Sequence, residues 1–145
     1  MKRLALVLVF LPLAARGDDG KPMRDFDKLQ VIEGRILCLD CELRKEGADT
    51  DCEKNGHRNG LVAADGRMWT VLDNTIGSNV VRGAQFRGKD AKVHAWVFAD
   101  ANSLDMWQLE VKDGDKWTTW SYCIDCGFEE GDNGTENTCK DCRGK

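Results

Sequence analysis

The chain has 145 residues and a formal net charge of −4, with 21 Lys and Arg against 25 Asp and Glu. Nucleic acids and anionic membranes are bound through clustered positive charge, so this balance argues against both as the main partner. The length suits one small domain with or without a satellite, and it leaves no room for a doubly wound nucleotide fold or a large barrel enzyme.

The first seventeen residues have the pattern of a secretory signal peptide. Lys2 and Arg3 form a basic start, twelve uncharged residues follow over 4–15, and Ala15-Arg16-Gly17 is similar to the small-residue pattern before a cleavage point. The apolar run is too short for a spanning helix, and no later stretch approaches about 18 apolar residues. We therefore expect an exported protein, periplasmic or extracellular, with no membrane span.

After a polar lead-in over 18–27, residues 28–122 carry the pattern of a small β domain. Alternating and β-branched segments predict strands over 29–37, 61–64, 67–72, 91–98, 104–111 and 116–122. Asp65-Gly66 and Asp113-Gly114 supply turn signals between two pairs of them. Residues 74–86 are compatible with a short helix or a long connection. A mainly β fold follows, either a small OB-like barrel (the oligonucleotide/oligosaccharide-binding type) or a sandwich.

Residues 123–145 need a different source of stability. Ile124 and Phe128 are their main apolar side chains, too few to offset the entropy lost when the segment folds. Two Cys-x-x-Cys pairs can supply it, because such turns aim four sulfurs at one tetrahedral metal, and ligation contributes folding free energy. The four predicted ligands, in a spacing close to that of zinc sites, are Cys123, Cys126, Cys139 and Cys142.

A second set of ligands lies near the start of the domain. Cys38, Cys41 and Cys52 are followed by His57, in a polar loop over 42–59 of a kind that is uncommon unless something organises it. The seven thiols and this imidazole make eight ligands, enough for two tetrahedral sites.

Two alternatives stay open for this set. One is a Cys38–Cys41 or Cys38–Cys52 disulfide with His57 on the surface, since exported thiols tend to be oxidised. The other is His94 as the fourth ligand, although its position in the middle of a strand favours a structural role.

The segment Tyr122-Cys123-Ile124-Asp125-Cys126-Gly127-Phe128, followed by Cys139-Lys140-Asp141-Cys142, resembles the rubredoxin-like knuckle pair at the end of rubrerythrins. Those proteins have Cys-x-x-Cys-Gly and an aromatic residue, a spacer of similar length, and then Cys-Pro-x-Cys. The resemblance covers residues 122–142 and implies a zinc-ribbon or rubredoxin-like module. Lys140 stands where the family usually has Pro, and no Gly follows Cys142.

No familiar catalytic motif occurs. The sequence lacks Cys-x-x-Cys-His, a phosphate-binding Gly loop, Gly-x-Ser-x-Gly and His-Glu-x-x-His. A thioredoxin-like site needs Cys-x-x-Cys at the start of a helix, and residues 42–56 show no amphipathic period. We expect no catalytic residues; an open catalytic zinc at the first set of ligands is the exception left to consider.

Together these patterns predict a metal-stabilised binding or assembly module with zinc at two sites and an unidentified protein partner. The runner-up is a rubredoxin-like iron electron-transfer protein, in which the C-terminal four-cysteine site holds the iron. A third possibility is thiol-based metal handling by Cys38, Cys41, Cys52 and His57. The residues do not separate zinc from iron, because both accept tetrahedral sulfur.

Overall fold

A computed structural model of the protein describes residues 24–132 together with Cys139 and Cys142. The predicted signal peptide (1–17), most of the polar lead-in and much of the C-terminal segment lie outside these residues. None of the helices in the described part is long and apolar enough to cross a membrane.

Within residues 24–132, seven strands form one sheet that is antiparallel apart from a single parallel pairing. The strands are β1 Gln30–Cys38, β2 Asn59–Ala63, β3 Met68–Val71, β4 Asp90–Phe98, β5 Ser103–Asp113, β6 Lys116–Cys123 and β7 Gly127–Glu130. Their order is β3-β2-β1-β4-β5-β6-β7. The mainly β prediction is confirmed, and the ends of the six predicted strands are placed to within two residues.

Helices are few and short in the same part of the chain. They are α1 Leu39–Lys45, α2 Cys52–Asn55 and α3 Ser78–Arg82, with 3-10 turns at Phe26–Lys28, Ala84–Phe86 and Ala99–Ala101. The ambiguous segment 74–86 is therefore a helix followed by a 3-10 turn.

Residues 42–56 show no amphipathic period, yet α2 and part of α1 lie there. Helix α1 begins directly after β1, and it escapes a periodicity test because it has only seven residues. Its charges favour it: Asp40 and Glu42 lie in the first turn and Arg44 and Lys45 in the last, as the helix dipole prefers.

Strand β1 pairs with both β2 and β4, and the strands on its two sides meet through a pairing of β3 with β5. Its first part pairs with β4 and its second part with β2, and the change occurs at Gly34. A Cβ atom at Gly34 would collide with the carbonyl oxygen of Val62, so no larger residue fits there. Strands β3 and β5 pair in parallel, with Val71 opposite Leu104. The pairings β1-β2-β3-β5-β4-β1 therefore form a closed circuit.

The core lies on the inner side of this circuit and is completed by α3 and the turn after it. Strand β4 shows the alternation that the sequence predicts: Ala91, Val93 and Ala95 are buried, whereas the residues between them are half-buried. The largest fully buried side chains from the other elements are Ile36, Leu61, Val80, Phe86, Leu104, Met106 and Leu109.

Asn59 connects α3 to the start of β2. Its side chain is buried, and its Nδ2 donates to the carbonyl oxygens of Val80 at 3.0 Å and Gly83 at 2.8 Å. Its Oδ1 accepts a hydrogen bond from Nε of Arg87 at 2.9 Å. Three hydrogen bonds thus satisfy a polar group that would otherwise be costly to bury.

The end of the lead-in is attached to the outer face of β4 and β5. The ring of Phe26 lies 5.4 Å from that of Trp96 and 5.1 Å from that of Trp107, both edge-on. The guanidinium of Arg24 lies 4.8 Å above the Trp96 ring. These contacts place some of the tryptophans on the outer surface rather than in the core.

Candidate metal centres

The first cluster, Cys38, Cys41, Cys52 and His57, is assembled by the connection between β1 and β2. Cys38 is the last residue of β1 and lies opposite Asn59 at the start of β2. The N–H of Leu39 donates to the carbonyl oxygen of Arg58 at 2.9 Å, which closes the connection at its base. Cys41 lies in α1 and Cys52 begins α2, and this connection brings their sulfurs together.

The four ligand atoms of the first cluster lie within 4.8 Å of one another. The sulfur of Cys52 is 3.3 Å from that of Cys41 and 3.6 Å from that of Cys38, and Nδ1 of His57 is 3.6 Å from the Cys41 sulfur. Sulfurs at the corners of a zinc tetrahedron lie about 3.8 Å apart, given Zn–S bonds of about 2.3 Å. A disulfide requires about 2.05 Å. The spacing suits a shared cation, and the cysteines are free thiols in the structure.

The second cluster, Cys123, Cys126, Cys139 and Cys142, is built at the far end of the sheet. Cys123 is the last residue of β6, and Cys126 lies in the turn directly before β7. The four sulfurs also lie within 4.8 Å of one another, with Cys126 3.6 Å from Cys139 and 3.4 Å from Cys142.

Backbone groups shape this second cluster. The N–H of Cys139 donates to the sulfur of Cys123 at 3.4 Å, so the two Cys-x-x-Cys pairs are joined even without an ion. Gly127 pairs with Cys123 across the turn and has φ of +87°, a conformation that glycine adopts readily and other residues do not. Gly127 is part of the motif that carries the resemblance, but no side-chain pattern reveals the amide of Cys139.

Strand β7, which the sequence pattern does not predict, attaches the second cluster to the core. The ring of Phe128 stacks on Trp120 with centroids 6.0 Å apart, and Phe86 meets both rings edge-on. The aromatic residue of the Cys-Gly-Phe motif is therefore a packing residue. The predicted boundary between residues 122 and 123 falls inside the β6–β7 hairpin.

The first cluster does not favour ionisation of all its sulfurs. Burial raises the pKa of the Cys38 thiol, but hydrogen bonds with His57, Cys41 and Cys52 outweigh burial and lower this pKa to about 6. The pKa of Cys52 rises to about 12, first through its hydrogen bond with Cys41 and then through burial and the nearby sulfur charges. Cys38 therefore ionises easily, and Cys52 resists a second negative charge.

The second cluster repeats this pattern. The backbone N–H of Cys139 is the main cause that lowers the pKa of Cys123 to about 6. The hydrogen bond with Cys142 lowers the pKa of Cys126, but its hydrogen bonds with Cys139 and Cys123, its burial and the Cys123 charge raise it to about 11. Metal ligands must be deprotonated, so a divalent cation is what would relieve this repulsion.

The eight predicted ligands are thus brought together in the two predicted groups, which could bind metal ions. His94 does not join either group. Its Nε2 lies 2.7 Å from a carboxylate oxygen of Glu110 on the outer face of β4 and β5. Of the two histidines, only His57 is placed to be a ligand.

No protein-family model matches the chain, and no curated protein or solved structure matches it. The resemblance to the knuckle pair of rubrerythrins therefore stays a local one. The second cluster is consistent with a zinc-ribbon-like module.

Proposed function

We propose that the protein is an exported metal-binding β protein in which zinc occupies both clusters and stabilises a binding or assembly module. The convergence of eight ligand atoms in two groups of four carries this proposal. Zinc prefers tetrahedral sulfur and nitrogen ligands, and a complete set of four leaves no position for a reactive water. Such closed sites are structural, and we propose this role at least for the second cluster; the lack of a catalytic motif agrees with it.

The β part, residues 28–122, is proposed to be an OB-like barrel. The closed circuit of five strand pairings and the position of α3 between β3 and β4 support this proposal. An OB fold is a five-stranded, partly open barrel whose faces and loops bind extended ligands. Residues 123–145 are proposed to form a zinc-ribbon or rubredoxin-like module that extends the sheet through β7.

The partner is proposed to be a protein. A surface groove of about 380 Å³ is lined by residues of several strands, among them Arg35 of β1, Asp90 of β4, Lys112 of β5 and Trp117 of β6. Trp117 is 42% exposed. Aromatic residues and Arg are enriched at protein interfaces, and the mixed signs of charge here do not suit a polyanion.

Elemental analysis and native mass spectrometry of protein purified without added metal or reductant test this proposal. We expect two zinc ions per chain, seven thiols that react with an alkylating agent after denaturation in chelator, and a chain that begins near residue 18. Disulfide bonds throughout and no metal would refute the metal-binding role. An intact residue 1 in material recovered from outside the cytoplasm would refute cleavage of the signal peptide.

The second cluster supports one alternative, rubredoxin-like electron transfer by iron. The observation in its favour is the N–H bond from Cys139 to the Cys123 sulfur, because hydrogen bonds to sulfur tune the reduction potential of such sites. Anaerobically purified native protein would then be red and would bleach on reduction. A colourless protein with zinc at this cluster excludes the alternative.

A further inference from the structure

The two clusters differ in how firmly they hold their fourth ligand. In the first cluster Cys38 and Cys52 are each 4% exposed and His57 is exposed. The second cluster also has one exposed ligand, Cys126, so the difference lies in the support and the charge of the ligand and not in its exposure. His57 follows the four-residue helix α2 and Gly56, whose φ of +79° ends that helix. It is therefore carried by a short surface turn, while the other ligands belong to β1, α1 and α2.

The imidazole of His57 also lacks the usual support on its far side. Its Nδ1 faces the cluster, and across residues 24–132, Cys139 and Cys142 its Nε2 has no hydrogen-bond partner. A metal-binding histidine normally donates its second N–H to a carboxylate or carbonyl, and loss of that bond typically weakens metal binding about 10–100-fold. His94 shows the contrast, since its Nε2 is held by Glu110 at 2.7 Å.

The charge of the ligand points the same way. A neutral imidazole can leave a zinc ion without separating opposite charges, whereas a thiolate cannot. In the second cluster all four ligands are sulfurs, and Cys123 is further held by the amide of Cys139. If His57 leaves, three sulfurs still retain the ion and one coordination position opens.

We propose that the first cluster exchanges its zinc by release of His57, and that zinc enters and leaves the protein there while the second cluster retains its ion. This inference rests on the proposed function. In the step, the bond between zinc and His57 breaks and a bond from the incoming ligand forms at the open position. Zinc stays divalent and leaves bound to the incoming ligand, and those sulfurs that are protonated in the ion-free cluster regain their protons from the solvent.

The test is zinc release from the full mature chain loaded with two zinc ions, with 4-(2-pyridylazo)resorcinol as the chelating probe. We expect two phases of equal amplitude, the first at least about tenfold faster, in keeping with the effect of an unsupported histidine ligand. His57→Cys should slow the fast phase at least about tenfold, because the fourth ligand becomes a thiolate. His57→Ala should release the same ion no more slowly than the unmodified chain.

Two further variants assign the phases. Cys126→Ser should abolish the slow phase and leave the fast one, and His94→Ala, which alters a histidine outside both clusters, should change neither. Release of both ions at one rate, or a fast phase that His57→Cys leaves unchanged, overturns the inference while the proposed function stands. Fewer than two zinc ions in the native protein contradicts the proposed function itself, before any exchange is measured.

Discussion

The buried Asn59 offers a test of how the core and the first cluster are joined. Asn59→Leu keeps a side chain of similar size and removes all three of its side-chain hydrogen bonds, those with Val80, Gly83 and Arg87. Because Asn59 lies opposite Cys38 in the β1–β2 pairing, the change should loosen the end of β2 that faces the first ligand.

The expected loss of stability follows from these bonds. A hydrogen bond of this kind contributes a net of about 1 kcal/mol, so three contribute about 3 kcal/mol. The full penalty for unpaired buried groups does not apply, because the carbonyl of Val80 still accepts the N–H of Gly83 and that of Gly83 accepts the N–H of Phe86. Arg87 is half-buried and can turn to water.

Urea unfolding of zinc-saturated protein, followed by tryptophan fluorescence, measures this loss. Zinc must be in excess in every sample, since bound metal adds to apparent stability. Asn79→Leu is the matched control: its Nδ2 donates to the carbonyls of Thr75 and Ile76, both at 3.0 Å, but its side chain is only half-buried. We expect the control to cost about 1 kcal/mol or less although it loses two hydrogen bonds, because water can replace bonds made by a half-buried side chain.

The result that refutes the reasoning is equal destabilisation by the Asn59 and Asn79 variants, or a loss below about 1 kcal/mol for Asn59→Leu. A second readout is metal affinity. Zinc binding at the first cluster should weaken, because Cys38 and the turn that carries His57 are held by the same end of β2. The second cluster, at the other end of the sheet order, should be unaffected.

Three glycine and aromatic substitutions test other parts of the fold. Gly34→Ala forces a Cβ against the carbonyl of Val62, and we expect failure to fold or a loss above about 3 kcal/mol by thermal melting. Gly127→Ala should cost about 1–2 kcal/mol and weaken zinc at the second cluster alone, because its φ is +87°. Phe128→Ala removes the stack on Trp120 and should cost about 2 kcal/mol, below the ~3–5 kcal/mol typical of a fully buried Phe because Phe128 is half-buried, and it should expose the second cluster to faster chelation. An unchanged midpoint or release rate would contradict each one.

Much of the β sheet can be predicted from the sequence because alternation and turn residues are local signals. Alternation fixes the inner and outer sides of β4, and the turns at Gly66 and Gly114, both with positive φ, separate the strands where two-residue signals predict. The parallel pairing of β3 with β5 cannot be predicted from such local signals. It depends on the change of partner at Gly34, which is a property of three strands together.

The two sets of metal ligands can be predicted from the sequence for a different reason. Sulfur and imidazole are scarce and chemically specific, so counting them divides eight ligands into two sets without any knowledge of the fold. The helices around the first cluster were missed because seven and four residues give no measurable period, and Cys41 lies inside α1. The position of these helices depends on the ligand cluster and on the hydrogen bond that closes the β1–β2 connection, both of which are tertiary features.

Both clusters begin at the same kind of position. Cys38 ends β1 and Cys123 ends β6, so each first ligand is fixed by strand pairing and is nearly inaccessible. The sheet therefore supplies one rigid sulfur to each cluster, and the metal would recruit the remaining ligands from segments that have little apolar surface of their own. The strand-held sulfurs give each cluster one fixed ligand. They leave His57, a neutral ligand whose Nε2 has no hydrogen-bond partner among the described residues, as the ligand with most freedom to leave.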